Sequence, residues 1–99
     1  MAHAALTRIY ISVELEDGSV HEDVRILFKD QAAYMKSARI NKWADDEVNQ
    51  QVFMVWHAGK RDGLWSCTFE DFRDKELLDI DAAQVPVGQD TSEDPTPAS

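Results

Sequence analysis

Residues 8–28 alternate twice around an Asp-Gly pair. Ile9, Ile11, Val13 and Leu15 point one way, and Arg8, Tyr10, Ser12 and Glu14 the other. That is the period of a half-buried strand. Asp17-Gly18 follows, a hairpin signal because a two-residue turn needs positive φ at both central positions. Val20, Val24, Ile26 and Phe28 then resume the alternation. A two-residue loop sets Glu16 opposite Ser19, Leu15 opposite Val20, Val13 opposite Glu22, Ile11 opposite Val24 and Ile9 opposite Ile26. On the outer face Glu14 meets His21 and Tyr10 meets Arg25. Glu22 is the misfit, and it predicts an edge or a bulge. A lone hairpin is not stable in water, so the rest of the chain must cover its apolar face.

The covering elements read as helices. Asp30 is placed to cap one that runs to about Asn41, with Tyr34, Met35 and Ala38 as its apolar stripe. Trp43 falls in the link that follows. Asp45-Asp46-Glu47 gather acids where the next helix begins, Lys60 and Arg61 close it, and Gly63 stops it. On this second helix Val48, Val52, Val55 and Gly59 share a stripe, with Trp56 beside it. Phe53 and Met54 fall on its two flanks, and His57 lies nearly opposite. The apolar surface is wider than the ~100° face of an ordinary surface helix, so this is either the central helix of the domain or an interface helix. Thr68, with an acid three residues on, opens a third helix whose Phe69, Phe72, Leu77 and Ile80 share a face. The expected fold class is α+β: an N-terminal β-hairpin packed on about three α-helices. The expected organisation is a flexible start at 1–6, one domain over 7–80, and a disordered acidic tail over 81–99. That tail is rich in Pro, Thr and Ser and has neither Lys nor Arg.

Charge narrows the function classes. Nineteen acids against ten Lys and Arg leave the 99-residue chain at −9. A phosphate-backbone binder or an anionic-lipid binder needs a basic face, so neither nucleic acid nor membrane is an expected partner. The balance favours solubility or a basic partner. Cys67 stands alone, which excludes an internal disulfide and suits a reducing compartment. The start lacks the basic and apolar regions of a signal peptide, and no apolar run approaches the ~20 residues of a membrane span. The expected location is cytoplasmic.

Catalytic constellations are weak. Cys67 and His57 flank a Gly turn, but no oxyanion hole or orienting group marks them as nucleophile and base. His3, His21, His57 and Cys67 lack zinc-ligand spacing. The pairs Asp45/Asp46 and Glu70/Asp71 sit where helix starts favour acids without catalysis. The glycines are isolated, so no phosphate loop exists. No enzyme activity, cofactor or metal is expected. The aromatics are denser: Trp43, Phe53, Trp56, Trp65, Phe69 and Phe72 crowd residues 43–72. A domain this small rarely encloses three tryptophans, so aromatic or Met54 surface is expected to remain for a partner or for self-association.

The order of short motifs resembles the small tail assembly chaperones of long-tailed, siphovirus-like bacteriophages, the actinobacterial-phage type in particular. The residues that carry it are the turn Glu16-Asp17-Gly18-Ser19-Val20-His21-Glu22, the helix-opening Asp30, and Trp43. A helix of the form Phe-x-x-Trp-x-Ala-x-x-Arg-x-Gly follows, here Phe53, Trp56, Ala58, Arg61 and Gly63. Thr68 through Phe72 and the closing Pro95-Thr96-Pro97 complete it. Gly59 inside the helix departs from the pattern and costs ~1 kcal/mol against Ala unless another backbone packs there. The resemblance implies a non-enzymatic protein that binds the tape measure protein in the host cytoplasm and is absent from the mature virion. The major tail protein is a second candidate partner, and self-association a third possibility. The residues expected at the client are Phe53, Met54, Trp56 and Trp65, with Trp43 and Phe72. The alternative class is an acidic nucleic-acid mimic acting on a basic enzyme, with carboxylates from 14–23 and 45–47 arrayed like phosphates.

Overall fold

The structure, a computed structural model, describes residues 6–86. Strands β1 (Thr7–Leu15) and β2 (Val20–Ile26) form the hairpin. Helices α1 (Phe28–Asn41) and α2 (Glu47–Arg61) follow, then a single turn α3 (Phe69–Asp71) that runs on as a π-helical turn over Phe72–Glu76. Strand β3 (Leu77–Pro86) closes the order. The sheet is antiparallel with β1 in the centre, in the order β2-β1-β3. The α+β class and the N-terminal hairpin are as the sequence implies.

The hairpin register departs from expectation twice, and the two departures cancel. Leu15 and Ser19 close a three-residue loop, with Leu15 N–H donating to Ser19 C=O at 2.9 Å and Gly18 N–H to Leu15 C=O at 2.9 Å. Gly18 sits at φ 91° while Asp17 stays at negative φ, so the turn is not the two-residue type I′ form. The Asp17 carboxylate holds it by accepting from the Ser19 N–H at 2.8 Å and hydroxyl at 2.7 Å. The longer loop shifts the pairing by one residue, to Val13–His21 and Glu14–Val20. His21 therefore turns inward and Val20 outward, the reverse of expectation. A slip of one residue carried along the whole strand would expose Val24 and Ile26. A bulge at Glu22–Asp23 prevents that, and Ile11–Val24, Tyr10–Arg25 and Ile9–Ile26 pair as the sequence predicts. Asp23 takes φ 56° there, and its N–H donates to Ser12 Oγ at 3.0 Å.

The third helix and the tail boundary are corrected. A helix through Ile80 and a tail from 81 are expected, yet residues 77–86 are a strand on the second edge of β1. Its register, Val13–Ile80, Ile11–Ala82 and Ile9–Gln84, puts one large apolar residue, one alanine and one amide on the inner face. That is too faint an alternation to read. The pull is tertiary: Ile11 is fully buried in the central strand, and its backbone groups need partners on both sides. The domain thus extends at least to Pro86, and the remainder of the expected tail lies outside the described residues.

Helix α2 is the central helix. Val52, Phe53, Met54, Val55, Ala58 and Gly59 are all buried, packed with Ile11, Val13, Leu15, Val24 and Ile26 of the sheet. Each large side chain buried this way is worth ~1.5–3 kcal/mol. Val48, expected on the stripe, is exposed because it precedes the covered part of the helix. Asp46 caps the start, accepting from the N–H groups of Val48 and Asn49 at 3.0 and 3.3 Å. The end is a Schellman motif: Leu64 N–H donates to Gly59 C=O at 2.8 Å and Gly63 N–H to Lys60 C=O at 3.2 Å, with Gly63 at φ 78°.

Candidate functional site

Three segments converge at one end of α2. Trp43, from the link after α1, lies against Tyr34 (ring centroids 6.1 Å apart), Phe53 (5.9 Å) and Phe69 (5.4 Å). Trp56 reaches Phe53 at 5.3 Å and Phe69 at 5.7 Å. Phe53 and Phe69 are buried, whereas Trp43 and Trp56 are half-buried. The two indoles therefore stand as walls over a phenylalanine floor. They bound an open groove of about 340 Å³, rimmed by Ser37, Asn41, Lys60, Thr68 and Glu70. The Trp56 indole N–H donates to Cys67 C=O at 2.9 Å, which fixes that wall, and Lys60 Nζ lies 5.2 Å from the ring centroid. Among the described residues the Trp43 indole makes no hydrogen bond and is held by its ring contacts alone.

The six residues expected at the client divide. Trp43, Phe53 and Trp56 meet at the groove. Met54, Phe72 and Trp65 do not. Met54 is buried beside Ile9 and Ala82 of the sheet, and Phe72 is fully buried. Trp65 crosses the other flank of α2. Its ring lies 4.7 Å from Phe72 and edge-on to His21 at 5.3 Å, and its N–H donates to Trp56 C=O at 2.9 Å. The Trp65 ring occupies the space a Cβ at Gly59 would need, at 2.0 Å, so that glycine is a packing seat. Sequence periodicity could not separate these roles, because α2 is apolar round well over half its circumference. Phe69, one of the crowded aromatics but not among the six residues expected at the client, proves to be half of the groove floor.

A polar centre went unread. Asp30 is not the cap of α1. It lies one turn inside the helix, fully buried, and its carboxylate accepts from Leu27 N–H at 2.7 Å. It also pairs with Arg61 Nη1 at 2.6 and 2.8 Å and with His57 Nδ1 at 2.7 Å. Arg61 Nη2 donates on to Arg25 C=O at 3.1 Å, so one carboxylate ties α1, α2 and β2 together. Burial works against the Arg61 charge, but its hydrogen bonds to Asp30 and Asp62 outweigh that and raise its pKa. The available signal was the i,i+4 spacing of His57 and Arg61, which sets both on one helix face. Asp30 beside His57 supplies two members of a catalytic triad, but Arg61 pairs with the same carboxylate, and among the described residues no hydroxyl or thiol is hydrogen-bonded to the imidazole. Cys67 does not supply one. Burial pushes its thiol pKa up, and no hydrogen bond joins it to His57 among the described residues. Among the described residues His21, His57 and Cys67 belong to no group that could hold a metal ion: His21 meets Trp65 and His57 meets Asp30, while His3 lies outside the described residues.

The acids expected to mimic phosphates also separate. Glu14 and Glu22 lie on the outer sheet face with Asp79 and Asp81, around a shallow depression of about 240 Å³. Asp45, Asp46 and Glu47 stand instead at the start of α2, where Asp46 is the cap. No helix of the described residues is long and apolar enough to cross a membrane. Comparison with protein-family models, curated proteins and solved structures finds no match to this chain.

Proposed function

We propose that the protein is a non-enzymatic, protein-binding assembly factor whose groove takes apolar side chains of a helical client. The specific reading is a phage tail assembly chaperone that holds the tape measure protein in the host cytoplasm and does not enter the mature virion. The observation that supports it most is the open aromatic groove: two half-buried tryptophans over a floor of Phe53 and Phe69, rimmed by one cation, one acid and three small polar groups. Such a site recognises large apolar side chains and can release them, since its rim stays wet. The motif order given above supplies the client identity, and the net charge of −9 keeps a bound apolar segment in solution.

The test is co-expression with the tape measure protein, followed by pull-down at low and high salt. Capture at both salts is expected. Trp43→Ala removes a wall held by its ring contacts, and the loss of such an anchor weakens affinity by at least ~30-fold. Asn41→Trp blocks the groove from its exposed rim and leaves the aromatic floor intact, so it covers the case in which Trp43→Ala unfolds. Capture that survives both substitutions, or no capture of the wild type, overturns the reading. The acidic-mimic reading is favoured by the outer-face acids alone. It predicts capture of a basic enzyme that salt abolishes and that neither groove substitution changes.

A further inference from the structure

We propose that the outward face of α1 docks on the outer sheet face of a second copy of this chain, building a head-to-tail assembly. This is a second surface, independent of the client groove. Helix α1 buries Asp30 and Tyr34 and turns the opposite side to solvent. That side exposes Phe28 at 78%, Met35 at 58% and Ile40 at 68%. Lys29, Lys36, Arg39 and Lys42 are interleaved with them, and none makes an ion pair among the described residues. Residues 28–42 hold four of the ten cations of the chain and one of its nineteen acids, and that acid is the buried Asp30. A basic, apolar helix face on a chain of −9 is a local reversal of sign. At the start of α1, Phe28 stands clear of the fold as the most exposed large apolar residue described.

The complement is on the same molecule. The depression on the outer sheet face has Val20, 55% exposed, as its apolar side chain and Glu14, Glu22, Asp79 and Asp81 around it, while the side chains of Val13 and Ile80 beneath belong to the inner face. At about 240 Å³ it suits one large side chain rather than a small-molecule ligand. Glu14 and Asp79 face each other directly across the β1–β3 ladder, and like charges in that position repel. No cation among the described residues pairs with any of the four acids. An apolar knob flanked by cations and an acidic hollow with Val20 at its edge are thus both left unmatched within one chain. Their contact joins different surfaces of the two copies, so it propagates rather than closing as a two-fold dimer. An anionic membrane is the lesser fit. The three apolar side chains are spread among the cations instead of forming one face, and the acidic remainder of the chain is repelled by such a surface. Residues 87–99 carry acids but no large apolar side chain beyond Val87, too little to cover Phe28, Met35 and Ile40.

The experiment is light scattering and sedimentation of the full chain across concentration and salt, with two charge reversals. Wild type is expected to exceed at least twice the single-chain mass of 11.2 kDa at low ionic strength. It should fall back to that mass near ~1 M salt, where screening is short-ranged. Lys29→Glu/Lys36→Glu/Arg39→Glu reverses the helix face, and Glu14→Lys/Glu22→Lys/Asp81→Lys reverses the sheet face. All six positions are exposed, and circular dichroism checks that both variants fold. Each variant alone should remain at the single-chain mass, and mixing the two should restore assembly, because every contact in the mixture is again between opposite charges. A wild type that stays a single chain at high concentration and low salt overturns the proposal. So does assembly that persists in either variant alone, failure of the mixture to assemble, or binding to anionic vesicles without self-association.

Discussion

Gly59 in the middle of α2 breaks a helix rule, and replacing it tests the packing directly. By intrinsic propensity, Gly59→Ala should stabilise the helix by up to ~1 kcal/mol. The structure reverses the sign. An added Cβ would lie 2.0 Å from Trp65 Cζ2 and 2.1 Å from Cε2, and these atoms belong to a rigid ring rather than to a flexible tip. The ring must move, and it is held by its N–H bond to Trp56 C=O at 2.9 Å and by Phe72 at 4.7 Å. Overpacking costs ~1–3 kcal/mol and the weakened hydrogen bond ~1 kcal/mol. Against the propensity gain, the net loss is about 1–3 kcal/mol. For a domain of this size each kcal/mol lowers Tm by roughly 4–8 °C. Urea and thermal unfolding of the single variant, of Trp65→Leu and of the double variant complete a cycle. In the Trp65→Leu background the obstruction is gone, and Gly59→Ala should become stabilising by up to ~1 kcal/mol. A stabilising Gly59→Ala in the wild-type background, or one with the same effect in both backgrounds, refutes the reasoning.

Asp30→Asn should destabilise by about 3 kcal/mol, because it leaves Arg61 without its buried counter-charge; chemical denaturation measures it, and a loss under 1 kcal/mol contradicts the linking role. Asp46→Ala removes the cap of α2 and should cost ~1 kcal/mol, while Asp46→Asn should cost only a fraction of that. Cys67 should react with a thiol reagent more slowly than a free thiol at neutral pH and match it only after unfolding. Burial first, and then the nearby Glu76 and Asp71 carboxylates, disfavour its thiolate. The folded pKa of this thiol lies above its unfolded value. Its contribution to stability is therefore complete below the unfolded pKa and declines as pH rises above it, the direction that alkaline unfolding should show.

Local chemistry in the sequence determined the hairpin, the two long helices and the stops between them. Alternation over 8–15, the acids at 45–47 and Gly63 each act within a few residues, so no distant partner is needed to read them. The Glu22 misfit announced an edge or a bulge for the same reason, and both are present. Tertiary structure decided the rest. The three-residue loop inverted His21 and Val20, and only the whole sheet shows that the bulge restores the register. Strand β3 exists because the central strand needs a second partner, which no pattern within 77–86 declares. Asp30, legible as a cap, became a buried anchor once α2 brought His57 and Arg61 to it. Phe53, Met54, Trp56, Trp65 and Phe72 look alike on a chain of apolar residues. Which of them floors a groove, seats against Gly59 or fills the core depends on where α1, α3 and the sheet meet α2. That is a property of packing, to which each residue contributes and which no residue encodes alone.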